Sequence, residues 1–319
     1  MTQILITGAT GHLGAALAGA VIERTNWGVV ALERLPQAGA PDRKAHLPAG
    51  RIRRLYHDFR APLSDALLKE AGEVAYIVHA GAEVHALRSL ENPALFVQSN
   101  VIGTFNVLEA ARKLQPKSFL YVSSAEVLGP APEDRRCGED DTLCPANPYA
   151  AAKAAGEMLV RSYQRSFGVP AQIVRTMNLF GERQQASKFI PMVLVRLLEN
   201  KTIPIHVGPD GRSGSRQWMY VGAFADALLY LLQHGTPGQV YHAAGEEKTN
   251  AEIVALLADC LGVAANTESV DVSVHFPAHT LRYAISGERL AGLGWQQPVG
   301  FSEALMQTAF WTVAHPEWM

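Results

Sequence analysis

Apolar residues arrive along this chain in short unbroken runs, separated by longer stretches with a helical period. "QILIT" (3–7), "WGVVALE" (27–33), "VAYIVHA" (74–80), "SFLYVSS" (118–124) and "AQIVRT" (171–176) are rich in β-branched residues and show no in/out alternation. Such runs predict strands buried on both faces. Between them, helical periodicity covers 11–24, a stretch near 93–113, and 148–167. This strand–helix–strand order predicts an α/β protein with a doubly wound parallel sheet. After residue 176 the pattern changes. Helical periods near 187–199, 222–233, 250–261 and 301–312 alternate with short strands and Gly/Pro-rich stretches, among them "VGPDGRSGSRQW" (207–218), read as a polar loop.

The first strand runs straight into "TGATGHLG", which places Gly8, Gly11 and Gly14 at the opening of the first helix. Glycine there permits a tight turn and close backbone approach, and a helix N-terminus holds a diphosphate. The G-x-x-G-x-x-G spacing is one residue wider than the usual dinucleotide fingerprint, with the same physics. A carboxylate, Glu33, closes the second strand. It would accept hydrogen bonds from both adenosine ribose hydroxyls and repel a 2′-phosphate, favouring NAD, although Arg34 beside it can welcome that phosphate. The candidate cofactor residues are therefore Gly8, Gly11, His12, Leu13, Gly14 and Glu33. Asp58, after the third strand, either meets the adenine end or only caps a loop. Ala80 ends the fourth strand, where small residues let a cofactor pass. The expected organisation is a Rossmann-type dinucleotide-binding domain over 1–176. A smaller, mainly substrate-binding lobe over 177–319 follows, with some segments returning to the sheet and a cleft between the two.

"NPYAAAKAAGE" sets Tyr149 and Lys153 at i and i+4, on one side of a helix. An ammonium in that position would lower the phenol's pKa toward neutrality, and the phenolate would then take a proton from a sugar hydroxyl as hydride leaves its carbon. Lys153 would also hold the nicotinamide ribose. Ser124, at the end of the fifth strand, would donate to the same sugar oxygen. These residues have chemical meaning together with the glycine loop; a Tyr and a Lys four apart are common by chance.

Composition narrows the remaining classes. The chain has 319 residues, 48% hydrophobic and 18% charged, with a formal net charge of -2. That is ordinary for a folded globular protein and gives no reason to expect nucleic acid or an anionic membrane as partner. No apolar run is long enough to span a bilayer. The opening "MTQILITGATG" has no basic n-region, so a cytoplasmic protein is expected. Cys137, Cys144 and Cys260 lack metal-ligand spacing, and no metal site is expected.

Several stretches, taken in order, resemble the extended short-chain dehydrogenases/reductases that act on nucleotide sugars: "TGATGHLG", "HAGAEVHALRS" (79–89), "NVIGTFNVLEAAR" (100–112), "SSAEVLG" (123–129), "YAAAK" (149–153), "NLFGERQQASKFIP" (178–191), "RQWMYV" (216–221) and "PAHTLRYAIS" (277–286). The pattern is most similar to the dTDP-glucose 4,6-dehydratases. That resemblance implies bound NAD, oxidation of a hexose at C4, use of the ketone to acidify C5, and return of the hydride in the same site. It implies that Asn178, Lys188, Arg216, His279 and Arg282 meet the nucleotide diphosphate and base, for which arginine forks and amide donors are suited. Glu83 and His85 fall in a stretch that lines the sugar pocket in the family, or they support it from behind. The resemblance also implies a homodimer through the helices near 93–113 and 148–167.

The chain departs from that pattern in one chemically important place. Where those dehydratases carry Thr-Asp-Glu, this sequence has Ser124, Ala125 and Glu126. The hydroxyl and the base are kept; the acid is a methyl group. Either Glu126 acts as both base and acid in a dehydration, as the Thr-x-Glu pattern of GDP-mannose 4,6-dehydratases suggests, or the enzyme is a 4-epimerase needing only Ser124, Tyr149 and Lys153. The kept carboxylate favours proton abstraction at C5. A protein that binds a dinucleotide without catalysis is the third reading, and the intact Ser124/Tyr149/Lys153 set speaks against it.

Overall fold

The computed structural model describes residues 1–35, 41–209, 211–271 and 282–319. Its strands, in chain order, are β1 (Gln3–Thr7), β2 (Gly28–Glu33), β3 (Ile52–Tyr56), β4 (Tyr76–His79), β5 (Ser118–Ser124), β6 (Ala171–Thr176), β7 (Leu179–Phe180), β8 (Ile203–Val207), β9 (Ser215–Tyr220), β10 (Val240–Ala243), β11 (Glu246–Thr249) and β12 (Thr267–Asp271). Seven of them join in the order β10-β6-β5-β4-β1-β2-β3, every neighbouring pair parallel. Every residue of β2, β5 and β6 is buried, as a sheet covered by helices on both faces requires.

Helices His12–Arg24 and Val221–His234 cover one face, packing Leu17, Val21, Phe224 and Leu228 onto Ile4, Ile6 and Val78. On the other face, Asp65–Ala71, Gly103–Leu114 and Pro148–Phe167 bury Leu68, Val107 and Val160 against Leu5, Phe119 and Ile173. A third core belongs to the lobe, where Phe189–Leu198, Asn250–Leu261 and Phe301–Ala314 enclose Phe180, Ile203 and Trp218. Beside it β9 pairs with β7 in parallel and with β11 in antiparallel fashion, and β8 pairs with β12.

Strand order reverses between β1 and β4, and a crevice opens at their carboxyl ends. The two exits nearly touch. Gly8 has φ 70°, and a Cβ there would lie 2.6 Å from the Gly81 Cα, so only glycine fits.

Two elements differ from the sequence expectation. The helix expected near 93–113 consists of Pro93–Val97, a π turn over Gln98–Ile102 and Gly103–Leu114. It passes so close to Phe59 that a Cβ on Gly103 would lie 2.5 Å from that ring. The stretch 207–218 is not one loop: its last residues enter β9, the middle strand of the lobe's sheet. Pairing on both sides there outweighs the weak local propensity of the Gly/Ser-rich approach. Among the described residues no helix is long and apolar enough to cross a membrane.

Candidate active site

A cleft of about 1040 Å³ runs along the carboxyl ends of the strands, between the sheet and the lobe. It brings together Gly8, Gly11, His12, Leu13, Gly14, Glu33, Asp58, Ala80, Glu83, His85, Ser124, Glu126, Tyr149, Lys153, Asn178, Lys188 and Arg216. These come from segments spread between residues 8 and 216 of the chain. His279 lies outside the described residues. Arg282 is a correction: it faces away from the cleft. Its Nε donates to Glu247 Oε1 at 2.7 Å, and it lines a separate charged depression with Arg135 and Arg136. Alternation explains this. Arg282 bridges to Ser215, and the next residue, Tyr283, is the one that reaches the cleft.

At the glycine-loop end, Gly11 caps the helix His12–Arg24 without a side chain, leaving the first-turn N–H groups of residues 12–14 outside the helical ladder. A Cβ on Gly14 would sit 2.3 Å from the Gly8 carbonyl oxygen, so the loop closes tightly against the helix. Bare N–H groups at a helix start, bordered by glycines and opening on a long cleft, fit a dinucleotide diphosphate. His12 Nε2 lies 3.1 Å from the Glu182 carbonyl oxygen; burial pushes the imidazole down to about 3, so the neutral ring donates across to the lobe. Arg43 makes a second crossing, donating to Thr10 O at 3.2 Å and Arg183 O at 2.9 Å.

Glu33 differs from expectation in its surroundings. Both of its carboxylate oxygens are buried. Lys44 Nζ lies 2.9 Å from Oε2 and Arg54 Nη1 3.6 Å from Oε1. Lys44 also donates to Ala9 O at 3.1 Å, tying the acid to the glycine loop. The carboxylate is thus held by two cations of its own chain rather than presented as a free pair of acceptors. Asp58 stands at the rim in an ion pair with Arg60.

At the other end, β5 delivers Ser124, whose Oγ accepts from the Glu126 N–H at 3.2 Å. The helix carrying Tyr149 starts at Asn147, whose Oδ1 accepts from the Ala150 N–H at 2.8 Å, with Pro148 at the first helical position. One turn on, Lys153 is buried, donates to Val122 O at 2.5 Å and lies 4.1 Å from the centroid of the Tyr121 ring. Burial lowers its pKa to about 7, with Glu157 working the other way.

The phenol does not behave as spacing suggested. Burial raises the Tyr149 pKa, the Glu126 charge raises it further, and a hydrogen bond from Ser124 offsets part of this. Lys153 donates to Val122 O, and burial together with the Glu126 charge works against the phenolate. Glu126 is also raised by burial, and is pulled down by the Asn147 hydrogen bond and by Arg216 and Lys188. Ala125 packs in an apolar cluster with Val127, Met177 and Tyr283, so its position supplies no acid.

The lobe contributes cations. Lys188 stands at the start of the helix Phe189–Leu198, its pKa lowered by burial and by Arg88. The Arg216 guanidinium lies 4.8 Å from the Tyr283 ring centroid. Glu83 sits 3.5 Å from Arg34, and His85 caps the helix Ala86–Glu91 at φ 122°, a strained value for a non-glycine residue. Sequence reasoning missed Lys44, Arg43, Asn147 and Tyr283. Only Asn147 carried a local signal, the Asn-Pro helix start.

Residues 4–244 match the family described as "NAD dependent epimerase/dehydratase family". The chain belongs to that family. It is 33% identical over 325 residues to a dTDP-glucose 4,6-dehydratase of Streptomyces antibioticus, covering 99% of this chain and 94% of that one. It is similar in structure to DesIV, a dTDP-glucose 4,6-dehydratase of Streptomyces venezuelae crystallised with NAD and TYD, with TM-score 0.89, 30% identity and coverage of 99% and 98%. A UDP-glucose 4-epimerase of Thermus thermophilus in complex with NAD shares the fold, with TM-score 0.86, 24% identity and coverage of 98% and 100%. As a member of this family the chain is an NAD-dependent enzyme of the extended short-chain dehydrogenase/reductase type.

Proposed function

We propose that the enzyme is a nucleotide-hexose 4,6-dehydratase. The observation that carries this reading is Glu126, a buried carboxylate that lines one cleft with Ser124 and Tyr149 and whose pKa burial raises above the ordinary carboxylate value. NAD, held along Gly8, Gly11, Gly14 and the helix start at His12, would supply the hydride acceptor for C4 and the donor for C6, and its positively charged ring would favour the Tyr149 phenolate. Tyr149, in its phenolate form, would remove the C4 hydroxyl proton while Ser124 donates to the same oxygen. The C4 ketone acidifies C5, and Glu126 takes that proton. Glu126 then protonates the departing C6 hydroxyl, which leaves as water, and C5 regains a proton from solvent through the same carboxylate. With Ala125 next to it, Glu126 does the work of two groups. The substrate nucleotide would lie against Asn178, Lys188 and Arg216, and Glu83 and His85 would border the sugar.

In this reading residues 1–176, with the sheet's last strand β10, hold the cofactor, and the rest of 177–319 holds the substrate. A homodimer fits the exposed apolar side chains of Ile102, Phe105, Met158 and Phe167, which lie on the two helical stretches flanking Tyr163. A cytoplasmic location fits an enzyme that draws on nucleotide sugars and NAD.

A 4-epimerase reading draws on the same three groups and on Ala125. Turnover of dTDP-glucose in heavy water separates the two. A dehydratase places deuterium at C5 and loses the C6 oxygen; Glu126→Gln should stop both while still letting the bound sugar reduce NAD. Inversion at C4 with no deuterium at C5 would replace the dehydratase with the epimerase.

A further inference from the structure

One side chain touches both the proposed base and the start of the helix that carries Tyr149. Asn147 has an extended backbone, φ −144° and ψ 164°, and lines the cleft. Its Oδ1 accepts from the Ala150 N–H at 2.8 Å, and its Nδ2 donates to Glu126 Oε2 at 2.9 Å. The cap decides which way the amide points: the helix end needs an acceptor, so the amino group faces the carboxylate. Among the described residues this is the hydrogen bond made to the Glu126 side chain.

We propose that Asn147 is a positioning residue for the proton transfer at C5: it holds Glu126 at a fixed place relative to Tyr149. The inference rests on the reading of Glu126 as the C5 base. Tyr149 lies two residues beyond Asn147, at the second position of the helix that Asn147 caps, so one amide sets where both proton-accepting groups stand. The surroundings leave few substitutes. Arg216 and Lys188 face Glu126 from the lobe and act on it through charge, Tyr149 faces it from the helix, and Ser124 meets its backbone N–H. A neutral donor supports the ionised carboxylate without neutralising it, and leaves it able to accept and release a proton within one turnover.

The role separates from simple capping because serine caps a helix as well as asparagine but is too short to reach Glu126. The test compares Asn147→Ser and Asn147→Asp with the wild type in heavy water with dTDP-glucose. It reads reduction of bound NAD in a single turnover, deuterium entry at C5 against pH, and the melting temperature. In Asn147→Ser we expect NAD reduction and melting close to wild type and C5 exchange slowed about ten- to a hundredfold, the size of a lost hydrogen bond to a charged group. The rising limb of its pH profile should move to higher pH. Asn147→Asp should move that limb further, since a second carboxylate opposes ionisation of the first. Unchanged C5 exchange and pH profile in Asn147→Ser, or equal loss in both chemical steps with a lowered melting temperature, would overturn the inference. Glu126→Gln keeps this distinct from the base assignment. If that variant still exchanges C5, the base reading is wrong; if it does not, and Asn147→Ser behaves as wild type, only the positioning role is lost.

Discussion

The two ends of the cleft treat buried charge in opposite ways. At the glycine-loop end, Glu33 is enclosed by Lys44 and Arg54, with Asp42 joining both cations at 3.6 Å and 2.5 Å. Each charge has an opposite partner, and the cluster fastens the loop after β2 to the glycine turn. At the Tyr149 end, Lys153 is buried with a carbonyl oxygen and an aromatic face for company, and Glu126 has an amide. There burial outweighs the opposing charges, and it moves Lys153 to about 7 and Glu126 upward. The first end is built to hold its shape. The second holds its acid–base groups where burial works against their charged forms, a trait of functional sites more than of stabilising ones.

Removing one cation at the paired end should have the largest effect on the fold. Lys44→Met leaves the Glu33 carboxylate buried with Arg54 alone at a longer distance, and breaking a buried pair costs about 3–5 kcal/mol. The melting temperature should fall sharply. Adding Glu33→Gln to Lys44→Met should restore much of the loss, because no uncompensated charge then remains. A single variant that melts like wild type would show the pair to be ornamental.

The matching change at the other end should go the opposite way. Lys153→Met abolishes catalysis in our reading, yet removes an ammonium that the fold holds at a cost. A base whose folded pKa lies below its unfolded value binds fewer protons when folded, so stability rises with pH between about 7 and 10.5. Lys153→Met should flatten that rise and leave stability at neutral pH unchanged or higher by up to about 2 kcal/mol. A loss as large as that of Lys44→Met would mean the two ends do not differ as described.

What was legible in the sequence follows the same division. The glycine loop, the Tyr149–Lys153 pair on one helix and five of the sheet's seven strands are local patterns and stand where the pattern placed them; β10 was not predicted. Glu33's partner was not legible, because Lys44 comes from a Gly/Pro-rich segment without periodicity and reaches the acid only through folding. The direction of Arg282 was hidden for a related reason: neighbours in an extended segment point to opposite sides, and only pairing with Ser215 tells which. The π turn at Gln98–Ile102 looks like ordinary helix in sequence. The Tyr149 phenol was given an acidity that spacing cannot supply, since burial and the Glu126 charge, both products of folding, raise its pKa.

Acid should expose buried imidazoles in a way that bears on both ends. His12 at the glycine loop, and His79, held between Thr7 and Thr104 under the Tyr149 end, are each lowered by burial to about 3. The unfolded chain takes up these protons below about 6.5 and the folded chain does not, so stability falls as pH drops from 6.5 toward 3. Well inside that window each imidazole contributes about 1.4 kcal/mol per pH unit. Urea midpoints at pH 7 and pH 5 should differ less in His79→Gln than in wild type. An equal difference would mean that His79 titrates alike in both states.

The smallest effect should come from the charge pair at the rim. Asp58 and Arg60 are bound to each other at 2.5 Å, a shorter contact than Lys44 makes with Glu33, yet their side chains keep 33% and 35% exposure. The Arg60 hydrogen bond holds Asp58 below the usual carboxylate range. A depressed acid adds stability above its unfolded pKa of 3.8 and loses it as pH falls through the lower folded value, so at pH 7 the contribution is fully present. Water screens it, and exposed pairs are worth about 0–1 kcal/mol. Arg60→Gln should therefore change the urea midpoint at pH 7 only slightly, and 0.5 M salt should shrink even that difference. Distance alone would rank this pair above Lys44–Glu33; burial ranks it below. If Arg60→Gln costs as much as Lys44→Met, burial is not what separates the charges of this cleft.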